Sequence, residues 1–228
     1  EHLPNAWIEQ ALEATGTASI RRRRLPAEQV VWLVIALAIY RRQSMPEVLA
    51  TLDLALSAAS AQAVSKSAVT QARQRLGAKP LAQLFDQTAR AWCQQDAEYH
   101  AWQGLSLWAM DGTTFRTPDS ADNRAHFGAQ AYASGKVASY PQVRAVSITA
   151  IPTHLVSDIA FGTYAQNEML YAKTLVGRIA DHSLTVFDRG FLSAEILLGL
   201  TLGGQERHYL IPAKSNTKSE VLSGSADD

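Results

Sequence analysis

The sequence of 228 residues lacks several features that define common protein classes. Its single cysteine, Cys93, excludes a disulfide framework and a cysteine-based zinc site. The longest apolar run, residues 30–40, is too short to span a bilayer and is typical of a buried helix. The N-terminus has no basic-then-apolar signal pattern, so we expect a cytoplasmic location and no membrane partner. There is no Walker-type phosphate loop, no His-Glu-x-x-His motif and no internal repeat.

An excess of charge of one sign is also lacking, because the formal net charge is zero. By itself this argues against a nucleic-acid partner. The charges are unevenly distributed, however: residues 21–90 contain eleven Lys and Arg but four Asp and Glu. That segment therefore carries +7, and the remainder of the chain carries −7. Such asymmetry is typical of a chain with a nucleic-acid-binding portion.

Two apolar stretches of strand length each end in an aspartate that is closely followed by glycine. Residues 105–111 end in Asp111, and residues 184–188 end in Asp188. Because ligands bind at the carboxyl ends of strands in open α/β sheets, the two aspartates indicate one site built from two carboxylates. The alternative is that each aspartate starts a turn, as Asp and Gly commonly do.

The first part of the chain follows a helical period. Its spacing predicts helices over 26–42, from near residue 46, over 65–77 and over 81–95. The third helix would bury Val69, Ala72 and Leu76. Its outward residues are then of the types that read base edges and phosphates, namely Thr70, Gln71, Arg73 and Gln74. An ordinary solvated helix face would look similar, so a helix-turn-helix-like DNA contact is one of two interpretations.

After residue 98 the period changes to that of strands. We predict strands over 105–111, 140–151, 155–162, 184–188 and 208–211, with helices beginning after Asn167 and Ser193. The order β-β-β-α-β-α-β predicts a mixed sheet. A polar loop over 117–128 carries His126, which we interpret as a hydrogen-bonding loop residue rather than a metal ligand. We expect a helical domain over 1–98 and an α/β domain over 99–228.

These motifs together resemble the bacterial insertion-sequence transposases of the IS4 family. Asp111-Gly-Thr-Thr, with Pro118-Asp119 and His126-Phe-Gly128, is similar to the region of the family's first catalytic aspartate. Residues 187–191, Phe-Asp-Arg-Gly-Phe, are similar to the region of the second. Residues 210–216 resemble the strand beyond it, except that Pro212 stands where a basic residue is expected. Residues 21–77 resemble the family's N-terminal helical domain.

The resemblance implies a ribonuclease-H-like fold that cuts and rejoins DNA through an Asp-Asp-Glu triad. It implies that Asp111 and Asp188 are catalytic and bind a divalent metal, and carboxylate ligands suit Mg²⁺ or Mn²⁺. The implied partner is double-stranded DNA at the insertion-sequence terminal repeats, bound by a homodimer in the bacterial cytoplasm, at the nucleoid. The candidate DNA-binding residues are Arg21, Arg22, Arg23, Arg24, Lys66, Arg73, Arg75, Arg189 and Lys214. A four-arginine run is more often a solvated segment than a phosphate-binding one, and the alternative for Arg189 is an ion pair with a neighbouring acid.

One family feature is missing from the sequence. The third acid of the family lies on a helix marked Tyr-x-x-Arg-x-x-x-Glu-x-x-x-x-x-x-Lys, after the second aspartate. The later glutamates, Glu195, Glu206 and Glu220, have no arginine four residues before them. We therefore expect that the sequence is a fragment without the third acid, and that it cleaves little DNA alone. Two rivals stay open: a truncated DNA-binding regulator, and another ribonuclease-H-like Mg²⁺-dependent nuclease.

Overall fold

The computed structural model of the protein describes residues 3–18, 25–52, 65–94, 101–132 and 135–217. The chain divides into two compact units, Glu1–Thr88 and Ala89–Asp228. The helices of the first unit are α1 (Asn5–Ala14), α2 (Ala27–Ile39), α3 (Met45–Thr51) and α4 (Lys66–Leu76). The boundary between the units falls inside the next helix, α5 (Lys79–Gln94). Within the described ranges, no helix is both long and apolar enough to cross a membrane.

The first unit is built around α2. Its sequence is apolar nearly all round, which is the pattern of a helix that is covered on several sides. It contacts α1, α3 and α4 through its buried residues Val30, Val31, Leu33 and Ala36. The helix predicted from the apolar run therefore forms the centre of this unit's core.

Local capping groups fix where the shorter helices begin and end. At the start of α3, the backbone N–H of Ser44 donates to Glu47 Oε2 over 2.6 Å. Hydrogen bonds from the Ser44 side chain and backbone lower the pKa of Glu47. At the start of α4, Ser65 Oγ accepts from the Ala68 N–H. Gly77 ends α4 with φ of +68°, a left-handed conformation that glycine adopts without strain.

The second unit contains a five-stranded sheet in the order β3-β2-β1-β4-β5. The strands are β1 (Ser106–Arg116), β2 (Gln142–Ala150), β3 (Val156–Thr163), β4 (Ser183–Phe187) and β5 (Arg207–Leu210). The first three strands pair antiparallel, whereas β4 pairs parallel with both β1 and β5. Helices α6 (Ala121–Phe127), α7 (Glu168–Leu175) and α8 (Ala194–Thr201) connect them. A ribonuclease-H-like mixed sheet preceded by helices is thus confirmed.

The core of the second unit covers one face of this sheet. The buried strand residues Trp108, Met110, Ile148 and Phe187 pack with α7 and α8. Cys93 joins the same cluster, and burial raises the pKa of its thiol. The same packing buries one side of β1 and β4, the strands that lead to Asp111 and Asp188.

Two sequence predictions in this unit were wrong. Residues 117–128 are not a loop throughout, because they contain α6. Strand β1 does not stop at Asp111 but runs on to Arg116. The physical reason is that β1 has two partners of different length. Its parallel pairing with β4 ends at Met110, whereas its antiparallel ladder with β2 continues from Asp111 opposite Ser147 to Arg116.

The packing of the second unit's core can be tested with two leucines at the end of α8, one buried and one exposed. Leu200 is 0% exposed, whereas Leu202, just after the helix, is 81% exposed. We expect Leu200→Ala to lower the free energy of unfolding by about 3 kcal/mol, because it removes buried methyl groups and leaves a cavity. We expect Leu202→Ala to change it by less than about 0.5 kcal/mol. Urea denaturation followed by circular dichroism measures both, and equal losses would contradict the assigned packing.

Candidate active site

The two aspartates predicted from the sequence follow directly on paired positions of the sheet. The last parallel pair of β1 and β4 is Met110 with Phe187. Asp111 and Asp188 are the next residues on each side, and Asp188 retains an extended backbone with φ of −71° and ψ of 151°. Since paired residues of neighbouring strands point to the same face, this register brings the two aspartates to one face, at the carboxyl end of β4.

Both aspartates are exposed, and among the described residues their carboxylates accept hydrogen bonds only from nearby backbone N–H groups. Asp111 Oδ1 accepts from the Gly112 N–H at 2.7 Å, and Asp188 Oδ2 accepts from the Gly190 N–H at 3.2 Å. Neither side chain forms an ion pair with any of the described residues. Their negative charge is therefore not neutralised from within that part of the chain.

Basic residues lie next to Asp188 in an open cleft. The cleft is lined by Asp188, Arg189, Gly190, Lys214, Ser215 and Asn216. Arg189 begins a 3-10 turn, Arg189–Phe191, and is exposed. It makes no ion pair with an acid among the described residues. Lys214 Nζ donates to the Leu192 carbonyl at 3.3 Å, which keeps this cation at the cleft. The structure thus brings together three residues that the sequence nominated separately: Asp188, Arg189 and Lys214.

A third carboxylate lies beside Gly112, the residue after Asp111, and the sequence did not predict it. Glu168 is the first residue of α7. A Cβ atom built on Gly112 would lie 2.6 Å from Glu168 Cδ, so the glutamate side chain occupies the space that any residue other than glycine would fill. Because the third acid of the family follows the second aspartate, only the glutamates after Asp188 were candidates for it. The sequence feature that could have pointed to Glu168 is its position directly after Asn167, the residue that caps α7.

The donors at this site fit a hard divalent cation in part. Asp111 and Asp188 offer carboxylate oxygens, which are the ligands that Mg²⁺ and Mn²⁺ prefer. Magnesium sites commonly use one or two carboxylates and fill the remaining positions with water. In the part of the chain that the structure describes, no group of three or more His, Cys, Asp or Glu side chains could hold a metal ion. The described residues therefore offer two carboxylates, Asp111 and Asp188, that directly follow the last β1–β4 pair.

The remaining candidate residues lie elsewhere. Arg21, Arg22, Arg23 and Arg24 are outside the described residues. Lys66, Arg73 and Arg75 lie on α4 and are exposed, as are Thr70, Gln71 and Gln74. Val69, Ala72 and Leu76 are buried, which confirms the predicted inward face of this helix.

The prediction that His126 lies in a loop was wrong. It lies in the last turn of α6, where its ring packs edge-on against Phe127 with 4.6 Å between the centroids. No residue of α6 is buried, so its sequence lacks the apolar stripe that would predict a helix. With the other described residues, His126 forms no cluster of metal-ligating groups.

Comparison with known families assigns both parts of the chain. Residues 1–86 match the family described as insertion element 4 transposase N-terminal. Residues 102–227 match the family described as transposase DDE domain. A DDE domain implies a divalent metal cation, in agreement with the carboxylates at the candidate site.

Two curated proteins of Escherichia coli (strain K12) are similar to almost the whole chain. The putative transposase InsZ is 37% identical over 226 residues, covering 97% of this chain and 73% of its own length. Transposase InsG for insertion sequence element IS4 is 36% identical over 222 residues, covering 97% of this chain and 50% of its own length.

Among solved structures, a piggyBac transposase synaptic complex with hairpin DNA aligns with 98% of this chain and 50% of its own chain. Its TM-score is 0.42 at 13% sequence identity. The family assignment depends instead on the two sequence matches, on the identity to InsZ and InsG, and on a mixed sheet that carries the paired aspartates. The chain belongs to the IS4 family of DDE transposases.

Proposed function

We propose that this chain binds insertion-sequence ends and carries two of the acids for metal-dependent cleavage and transfer of DNA strands. We assign DNA binding to residues 1–98 and catalysis to residues 99–228. The observation that carries the proposal is the register of β1 and β4, because Asp111 and Asp188 directly follow its last pair. Two unneutralised carboxylates at one sheet end are suited to hold Mg²⁺ or Mn²⁺ next to a phosphate.

Each residue of the site has a separate proposed role. Asp111 and Asp188 would hold the cation, which when bound supplies Lewis-acid stabilisation of the phosphoryl oxygens. Arg189 and Lys214 line the same cleft as Asp188, so their charges would position the negatively charged DNA backbone. Since these groups are fixed by the sheet and the turn after it, little reorganisation would be needed during the reaction.

The third acid of the triad is placed outside this sequence in our proposal. InsZ and InsG are longer than this chain, which spans 73% and 50% of their lengths. We propose that cleavage needs a further segment that carries the family's glutamate helix, and that the chain works as a homodimer on two DNA ends. Without that segment the chain would bind terminal repeats at the nucleoid but cleave them poorly.

The exposed face of α4 supports the assignment of DNA binding to the first unit. An α-helix turns about 100° per residue, so Thr70, Gln71 and Gln74 lie near the middle of the exposed face. Arg73 and Arg75 lie about 160° apart, on either side of it. Short polar groups in the middle suit base edges, and guanidinium groups at the flanks suit the two phosphate backbones of a groove.

We expect Arg73→Ala/Arg75→Ala to weaken DNA binding in a manner that depends on salt. Each lost phosphate contact should reduce the slope of log affinity against log salt by about 0.9, hence by about 1.8 for the pair. Fluorescence anisotropy with a terminal-repeat duplex at several salt concentrations measures the slope. The control Arg41→Ala/Arg42→Ala removes the same charge from exposed positions outside α4. Equal slopes for the two variants would refute the role of α4.

We expect Asp111→Asn and Asp188→Asn each to abolish metal-dependent nicking of DNA that carries the cognate insertion-sequence end. The loss should be at least about 100-fold, because charge stabilisation of the transition state depends on a fixed cation. The assay contains Mg²⁺ or Mn²⁺ and a supplied segment bearing the glutamate helix, and DNA binding is measured alongside.

The matched control for this prediction is Glu206→Gln. Glu206 lies just before β5, at the opposite end of the sheet, where its backbone carbonyl accepts from the Ser183 N–H. This variant should nick DNA normally. Robust nicking by the 228-residue chain without the supplied segment would mean that an acid of this chain replaces the missing one. A mobility shift without nicking under every condition would favour the truncated regulator instead.

A further inference from the structure

The contact between Glu168 and Gly112 is close enough to explain why residue 112 is a glycine. A Cβ on Gly112 would lie 2.6 Å from Glu168 Cδ, 2.9 Å from Oε2 and 3.0 Å from Cγ. The backbone of Gly112 lies within the β1 strand and not in the left-handed region, so its conformation alone does not require glycine. A Cβ at this position is excluded only while the Glu168 carboxyl group occupies the same space.

The same glycine also binds Asp111. The Gly112 N–H donates to Asp111 Oδ1 over 2.7 Å, which turns the aspartate carboxylate towards the Asp111–Gly112 peptide. Two carboxylates thus adjoin one residue, Asp111 at its nitrogen and Glu168 at its α-carbon. The antiparallel pairing of Gly112 with Val146 holds this residue in place between them.

The two carboxylates have no cationic partner among the described residues. Glu168 makes no hydrogen bond or ion pair there, although it is half-buried beside the backbone of β1. The charge of Glu168 is therefore not neutralised from within that part of the chain. A cation held by Asp111 and Asp188 would also be attracted to this carboxylate, which adjoins the residue after Asp111.

We propose that Glu168 is a positioning residue of the metal site, a carboxylate from within this chain that stabilises the cation bound by Asp111 and Asp188. This inference rests on the function proposed above. Since no three acids are gathered within direct ligand distance in the described part of the chain, Glu168 acts from outside the ligand set. It contributes negative charge and accepts hydrogen bonds from water that Mg²⁺ or Mn²⁺ retains in protein sites.

The competing explanation is that Glu168 only stabilises α7. Acids in the first turn of a helix interact favourably with its N-terminal dipole. Glu195 provides a matched control because it occupies the first turn of α8, is exposed, and pairs with Lys173. A dipole role predicts similar effects of Glu168→Gln and Glu195→Gln on stability, and no effect of either on metal binding.

The test measures Mn²⁺ affinity of the 228-residue chain by isothermal titration calorimetry, with thermal unfolding as the check on folding. We expect Glu168→Gln to weaken Mn²⁺ binding about 10-fold, which is typical for the loss of a carboxylate that supports a metal site from outside its ligands. Glu195→Gln should leave the affinity unchanged. Mn²⁺ alone is the probe, so the readout does not depend on DNA cleavage.

A second variant tests the geometry without removing the acid. In Gly112→Ala the new methyl group would displace the Glu168 side chain, whose far end is flexible, so the strand should tolerate it. We expect Gly112→Ala to weaken Mn²⁺ binding to a similar extent, and the double variant with Glu168→Gln to show little further loss. Full additivity would mean that the contact does not act through Glu168.

The outcomes separate this inference from the proposed function. If Asp111→Asn and Asp188→Asn abolish Mn²⁺ binding but Glu168→Gln matches Glu195→Gln, the role of Glu168 is overturned and the site stands. If Mn²⁺ affinity is unchanged in all four variants of the proposed site, both the site and this inference are wrong. These variants are Asp111→Asn, Asp188→Asn, Glu168→Gln and Gly112→Ala. If Glu168→Gln lowers the melting temperature, the Mn²⁺ affinity of the folded Gly112→Ala variant becomes the test. Weaker binding by that variant supports the role of Glu168, and unchanged binding overturns it.

Discussion

The parallel pairing of β1 with β4 is the constraint on which the rest of the second unit depends. It joins two strands that are distant in sequence and buries Met110 and Phe187 side by side under α7 and α8. Because the residue after each of these is an aspartate, the packing of the core and the position of the carboxylates are set by one register. A shift of one residue would turn one aspartate to the opposite face of the sheet.

The antiparallel strands β2 and β3 support β1 on the edge that faces away from β4. β2 pairs with β1 well beyond the point where β4 ends, and β3 continues the ladder outward. Arg144, on β2, lies over the ring of Tyr164 at 4.3 Å and donates to the Gln166 carbonyl. These contacts hold the segment that leads into α7, and so the helix start that presents Glu168 beside Gly112.

Much of this fold could be predicted from periodicity, and the failures have physical causes. The strands and the cap at Asn167 were predicted because apolar alternation and capping residues are local signals. Helix α6 was missed because none of its residues is buried, so no apolar stripe marks it. The pair Asp111 and Asp188 was predicted from two motifs. The contact of Glu168 with Gly112 was not, because tertiary packing alone brings these two residues together.

Because β1 continues beyond Asp111, the backbone around Asp111 is more extensively hydrogen-bonded than the backbone around Asp188. Asp111 sits inside a ladder that extends on both sides of it, whereas Asp188 follows a five-residue strand and caps a single short turn. The backbone amides around Asp111 should therefore exchange with solvent slowly, and those around Asp188 much faster. One carboxylate is then held by a ladder that continues past it, and the other by the end of a shorter strand and one turn. A metal site of the kind proposed here would then tolerate ions of slightly different radius without disturbing the core.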